Sequence, residues 1–354
     1  MAHAKAKQAY TLKELAEISG SSLEGNPEHL ISGIAGILEA GQEHAVFVGN
    51  PRYAPQLQKT QAGVVCVSPT ESCPPHLNKL VHKDPSSAFQ KIAELLAHSR
   101  PALTGFKEIH PTAVIHPDAK IGEGVTIGPY AVIDEGAQIG KGSRIGSHVY
   151  IGPQATLGTD CLIHPHVTIR EGCVIGNRVI LQPGVVIGGC GFGYATSAMG
   201  EHTKFEHLGN VILEDDVEIG SNTTIDRARF QSTKVSKGTK IDNLVMLGHN
   251  VTVGKNSMIV AQTGIAGSTT LGDYCIIAGQ VAIAGHLNIE SKTRIAGKSG
   301  VTKSLPTGDY SGIPVQPIQE YNKNAVLLRK MPEFVEELKK LRQELEELKR
   351  SRQE

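Results

Sequence analysis

Every sixth residue from Ile109 to Ile187 is isoleucine or leucine, fourteen in succession. The same step returns at Leu213, Ile219 and Ile225, then runs with valine, isoleucine or leucine from Val235 to Val301. An α-helix repeats its apolar face every 3.6 residues and a single strand every two, so a strict period of six belongs to neither alone. Four residues after each of the first thirteen aliphatics stands a small residue, such as Ala113, Ala131, Ser143 or Cys161, and the residue directly after the aliphatic is usually glycine.

A period of six is the signature of a parallel β-helix. Each hexad supplies one short strand and a tight corner, three hexads close a triangular coil, and successive coils stack in register. The large aliphatic fills the interior of the prism and the small residue fits beside the corner. Glycine after the aliphatic answers either backbone crowding or a positive φ, where a Cβ is costly. The repeats make nearly ten coils, roughly 45 Å at the ~4.8 Å strand spacing. Aromatics at 4%, no tryptophan and 39 glycines fit such a thin-walled, aliphatic interior.

The pattern lapses at about 188–212 and again at 226–234. A segment with no obligation to fill the prism leaves it as a loop, and loops on rigid scaffolds commonly carry function. The other chemistry-bearing positions are sought at the corners.

The chain divides into three expected regions. Residues 1–104 lack the sixfold step and read as a small α/β domain with its boundary near Pro101. Thr11 and Glu14 have the spacing of a capping box, a second helix is expected over 86–98, and AVFVGN and AGVVCVS read as short strands. Residues 105–313 form the β-helix. Residues 314–354 turn helical, with Met331, Phe334, Leu338, Leu341, Leu345 and Leu348 spaced as a heptad seam amid Glu, Lys and Arg. A seam on a helix leaving the end of a prism finds its partners in neighbouring subunits, which implies a homotrimeric bundle if the prism is trimeric.

Thirty-five basic residues balance 35 acidic ones, so no broad positive field exists to hold nucleic acid or an anionic membrane. MAHAKAKQAYTLKELAE lacks the apolar core of a signal peptide, and no run of 18 apolar residues occurs. The expectation is a cytoplasmic protein with no transmembrane segment. Six cysteines scattered without a CxxC pair read as reduced, mostly buried thiols.

Fifteen histidines are present, and most, including His110, His116, His148 and His164, read as solvated corner residues. His249 and His286 differ. Adding 18 to Gly248-His249 gives Gly267, and adding 18 again gives Gly285 with His286 next. The two histidines therefore share one side of the prism, two coils or about 10 Å apart, too far to hydrogen-bond directly but suitable for a substrate between them. Gly267, one coil above His249, presents a backbone N–H to a developing oxyanion, with a corner glycine as the plain alternative. Zinc-binding hexapeptide proteins such as the γ-class carbonic anhydrases use a further histidine five residues beyond one of the pair, where this chain has Gly254 and Ser291, so no metal is expected. Gly189-Cys190-Gly191-Phe192-Gly193 follows a hexad strand and opens a loop instead of a helix, which argues against dinucleotide binding.

Local strings go further than the repeat. FVGNPRY at 47–53, GCGFGY at 189–194, DDVEIGSNTTIDR at 215–227, KIDN at 240–243, GHN at 248–250 and SGIPVQP at 311–317 make the chain resemble the UDP-3-O-(3-hydroxyacyl)glucosamine N-acyltransferases of lipid A biosynthesis over nearly its whole length. The resemblance implies a left-handed coil, a homotrimer, and transfer of a 3-hydroxyacyl group from acyl carrier protein to the 2-amino group of a 3-O-acylated UDP-glucosamine. No cofactor is implied beyond the phosphopantetheine thioester of the donor. It implies His249 as the general base, His286 as a second active-site histidine that positions substrate or assists protonation, and the Gly267 amide as the oxyanion donor. It puts Phe47 and Tyr53 on the uracil ring with Asn50 between them, although position alone makes Phe47 core and Tyr53 surface. Asp242 and Asn243 either orient His249 and bind sugar or are an outward polar pair on a rung. Two departures stand out: Cys190 where many members have Asp, and Ala228-Arg229-Phe230 where they have Gly-Ala-Leu. An O-acyltransferase on UDP-N-acetylglucosamine, which lacks the N-terminal uridine domain, and a non-catalytic structural β-helix are the competing readings.

Overall fold

The computed structural model describes residues 9–96 and 105–351. The expected boundary near Pro101 falls at 97–104, outside the described residues. The chain separates into two compact units, the first ending at Ala102.

In the first unit a five-stranded sheet runs in the order Ser22–Glu24, Lys79–Val81, Val64–Val67, His44–Phe47, Gly33–Ile34, with every pairing parallel except the first. Helix α1 (Leu12–Ser19) starts at the expected capping box: Thr11 Oγ1 accepts from the Glu14 amide, and the Glu14 carboxylate accepts from the Thr11 amide. Gly20 at φ 77° ends it in the left-handed conformation that glycine takes without strain. Helix α2 (Pro85–Leu96) packs Ile92 and Leu96 against Leu12, Leu15 and the valine strand Val64–Val67.

The second unit is a parallel β-helix of three sheets. The first face has ten strands from Val114–Ile115 to Gly300–Val301, the second nine from Lys120–Ile121 to Asn288–Ile289, and the third eleven, beginning at Thr126–Ile127. Each two-residue rung turns its aliphatic inward, and Ile127, Ile145, Ile163, Ile169 and Leu181 are all but completely buried. Successive rungs pair eighteen residues apart, as Ile127 does with Ile145.

Crowding, not a positive φ, explains most glycines that follow an aliphatic, Gly188 at φ 87° being an exception. A Cβ on Gly140 would lie 2.4 Å from the Gly158 carbonyl carbon of the next coil, and one on Gly254 would lie 2.3 Å from that of Gly272. The positive φ falls two residues later at each corner, where Tyr130, His148, Asn250 and His286 adopt it.

The two lapses are insertions at a single corner. Val174 pairs with Ile212, a step of 38 residues where 18 is the rule, so the first insertion adds 20 residues. Leu213 pairs with Val235, a step of 22, so the second adds four. Both leave after first-face rungs (Ile187, then Ile225) and rejoin on the second face, and the first carries a hairpin of Tyr194–Thr196 and His202–Lys204. The next first-face rung is Met246–Leu247. His249 follows it at that same corner, directly above both insertions.

The C-terminal region is one continuous helix, α3 (Ile318–Ser351), with Pro332 inside it. Its seam residues Met331, Phe334, Leu338, Leu341 and Leu345 are exposed.

Candidate active site

His249 is built from the rung Met246–Leu247: Leu247 fills the prism, Gly248 passes close to the backbone of the next coil, and His249 projects at the corner. Its Nδ1 lies 3.1 Å from Oδ1 of Asn250. Two further bonds fix the orientation of that amide, because Oδ1 also accepts from the Arg229 amide at 2.9 Å and Nδ2 donates to the Phe230 carbonyl at 3.0 Å. The Asn250 oxygen therefore faces the ring, Nδ1 must carry the hydrogen, and Nε2 is left with its lone pair. The partners Arg229 and Phe230 belong to the four-residue insertion, so that insertion sets the tautomer of His249.

The ring lies against Gly267 on the coil above, close enough that an added Cβ there would meet Nε2, Cε1 and Cδ2 at 2.7–3.0 Å. Among the described residues no acceptor is found for the Gly267 N–H, while Ser268, the next residue, donates to the His249 carbonyl at 2.8 Å. His286 stands one coil higher at the same corner, exposed, its amide donating to the Gly267 carbonyl at 3.0 Å. The arrangement thus puts an imidazole lone pair next to an unused backbone donor at a water-accessible corner, the elements of acyl transfer to a nucleophile that must lose a proton.

Asp242 and Asn243 follow a third-face rung, Lys240–Ile241, and so occupy a different corner from His249 in the same chain. Asp242 accepts from the amides of Asn243 and Ala261, and Asn243 Oδ1 accepts from the Ser221 amide. They tie neighbouring coils together and do not reach the His249 ring within this chain.

Three groups not named as site residues from the sequence surround His249. Asp226 ends the rung one coil below, packed over Gly189; burial pushes its carboxyl up to about 6 against the opposing pull of the His249 charge. His207, returning from the 20-residue insertion, sets its ring 5.2 Å from that of His249, centroid to centroid. Burial holds the His207 imidazole below the ordinary histidine range, and the charges of His249, Arg229 and Lys204 add to this. Arg229, besides anchoring Asn250, stacks its guanidinium 4.1 Å over the Phe205 ring beside an aromatic cleft of about 640 Å³ that includes Phe192 and Tyr194. Asp226 and Asn250 stood within strings already noted, whereas His207 had no periodic signal. Four cysteines are buried, Cys73 is partly buried, and Cys190 is exposed in the Gly189–Gly193 turn. Among the described residues no cluster of three or more His, Cys, Asp or Glu is placed to hold a metal ion.

In the first unit a cleft of about 420 Å³ is lined by Phe47, Asn50, Tyr53, Gln56, Ser86 and Phe89, among others. Phe47 is 38% exposed and Tyr53 52%, so neither is core. Phe89 stacks on Phe47 at 4.7 Å and backs the ring that faces the cleft. Asn50 spends its Oδ1 on the Arg52 amide, capping the 3-10 helix Pro51–Gln58 that carries Tyr53.

A family model described as UDP-3-O-(3-hydroxymyristoyl) glucosamine N-acyltransferase matches residues 28–95, and hexapeptide-repeat models match 108–189 and 245–284. The chain is 53% identical over 333 residues to a UDP-3-O-acylglucosamine N-acyltransferase of Protochlamydia amoebophila, covering 94% of this chain and 95% of that protein. It is likewise 53% identical to one of Chlamydia pneumoniae, covering 94% and 93%. Among solved structures, a UDP-N-acetylglucosamine acyltransferase of Arabidopsis aligns over 63% of this chain and 79% of its own at a TM-score of 0.53 and 21% identity, a likeness of fold. Among the described residues no helix is long and apolar enough to cross a membrane.

Proposed function

The chain belongs to the UDP-3-O-acylglucosamine N-acyltransferase family, and from that premise we propose that its chemistry runs between Nε2 of His249 and the N–H of Gly267. The protein transfers an acyl group to the 2-amino group of UDP-3-O-acylglucosamine, a step of lipid A biosynthesis. As the amine attacks the thioester carbonyl, Nε2 takes its proton and the carbonyl oxygen becomes an oxyanion facing the Gly267 N–H. Collapse of the tetrahedral adduct breaks the C–S bond, and the imidazolium returns the proton to the departing thiolate. Aminolysis of a thioester changes no oxidation state, so the reading needs no redox cofactor.

The donor is a 3-hydroxyacyl thioester on the phosphopantetheine of acyl carrier protein. His286 positions substrate above the reacting carbon. The uracil of the acceptor stacks in the cleft between Phe47 and Tyr53. The exposed seam of α3 closes a homotrimeric bundle, since a heptad stripe left in water asks for a partner. In such a trimer Asp242 and Asn243 are free to approach a neighbour's substrate, their own His249 being at another corner. The reaction and its substrates belong in the cytoplasm.

The observation that carries this reading is the Asn250 bond to Nδ1, which leaves the other ring nitrogen as a base against a free backbone donor. The test is His249→Ala with 3-hydroxyacyl carrier protein and UDP-3-O-acylglucosamine. N-acyl transfer is expected to fall by at least ~10²-fold with the oligomer unchanged, and retention of more than about a tenth of the wild-type rate overturns the assignment.

A further inference from the structure

We propose that Nε2 of His207 is a second hydrogen-bond acceptor for the amine nucleophile, acting beside Nε2 of His249; the inference rests on the N-acyl transfer read above. His207 Nδ1 is 3.1 Å from the Phe205 carbonyl oxygen, which can only accept, so Nδ1 carries the ring hydrogen and Nε2 carries a lone pair. His207 is 5% exposed, and among the described residues no donor reaches Nε2, the one buried side-chain polar atom in this condition. A buried acceptor without a donor is costly and calls for a physical explanation.

The chemistry next to it supplies one. A hydroxyl nucleophile brings one hydrogen, an amine two. Once the amine has attacked, its nitrogen bears two N–H bonds: one proton passes to His249, and the other stays on nitrogen to become the N–H of the product amide. A single acceptor leaves that second hydrogen without a protein partner. Two acceptors on one tetrahedral nitrogen stand ~4.7 Å apart when each hydrogen bond is ~2.9 Å, a separation of the same order as the 5.2 Å between the ring centroids of His207 and His249. Burial lowers the His207 imidazole from its ordinary range, against the Phe205 bond and with the His249, Arg229 and Lys204 charges, which favours the neutral, accepting form beside a His249 that takes the proton.

Gly191 packs against Nε2. A Cβ on Gly191 would stand 2.6 Å from it, and Gly191 lies in the run Gly188-Gly189-Cys190-Gly191-Phe192-Gly193. Admission of the amine therefore asks this glycine turn to withdraw while His207 stays on the Phe205 carbonyl.

The test compares His207→Phe, which keeps the ring volume and removes the acceptor, with His207→Gln, whose amide oxygen reaches the Nε2 position. Both are assayed as full-length protein with 3-hydroxyacyl carrier protein and UDP-3-O-acylglucosamine, alongside thermal unfolding. The Phe variant is expected to lose about 10- to 100-fold in kcat, the effect of one hydrogen bond to a charged group, with KM for the donor nearly unchanged; the Gln variant is expected to recover most of that loss. Activity of the Phe variant within threefold of wild type, or equal losses in both variants, overturns the inference while leaving the family activity intact. Failure of the wild-type protein itself to acylate the amine overturns the functional reading and the inference with it.

Discussion

Gly267 and His249 sit on successive coils with the imidazole so close to the glycine that a Cβ at 267 would stand 2.7 Å from Nε2. The φ of Gly267 is not in the left-handed region, so the backbone tolerates alanine there and the ring is the nearest obstacle. Gly267→Ala is expected to fold normally and to lose about 100-fold in kcat, because small displacements of a catalytic group cost that much. Steady-state kinetics and a melting curve check it; wild-type kcat in a stable variant would show that the ring has room to spare.

Asn250 acts through His249. Removing its side chain frees Nδ1 from a fixed acceptor and lets the ring adopt the tautomer that carries hydrogen on Nε2, which cannot accept a proton. Asn250→Ala is expected to lower kcat by about 100-fold while changing KM for either substrate less than about threefold, the signature of an interaction needed only in the transition state. A rise in KM at unchanged kcat would instead make Asn250 a binding residue.

Asp226 gives a dependence of stability on pH. Its folded-state pKa, about 6, lies above the ordinary carboxylate range because burial disfavours the charge. Below pH ~4 the group is protonated whether or not the chain is folded. Between about 4 and 6 the folded protein keeps a proton that the unfolded chain releases, so this group's contribution falls as pH rises through that window and remains unfavourable above it. Shifts of this size correspond to up to ~3 kcal/mol, which partial exposure reduces to about 1 kcal/mol. Asp226→Asn is expected to raise the melting temperature at pH 7.5 by about 2–4 °C and to leave it unchanged at pH 4; equal effects at both pH values would exclude the titration.

Phe47 and Tyr53 carry the nucleotide end of the proposed acceptor. Tyr53→Ala is expected to raise KM for the sugar nucleotide by about tenfold, as one aromatic stacking partner allows, without lowering kcat. Phe47→Ala has the larger effect, since it also strips the partner of Phe89. Titration of the protein with UDP alone provides a second reading of the same site.

The sixfold spacing of aliphatics by itself determined the β-helix, because neither a helix nor a lone strand repeats its buried face every six residues, and the step of 18 residues by itself determined that His249, Gly267 and His286 rise along one corner. The phase within the repeat also held what separates Asp242 and Asn243 from that corner: they stand one hexad before Gly248 and His249, hence one side of the prism away. Tertiary structure alone decided where the non-periodic segments return. The 20-residue insertion brings His207 against His249, and the four-residue insertion brings Arg229 and Phe230 to the Asn250 amide. A repeat constrains only the residues that obey it. The segments released from it are positioned by close contacts of glycine backbone, aromatic rings and single hydrogen bonds, which leave no period in the sequence, and those contacts choose which nitrogen of His249 is the base.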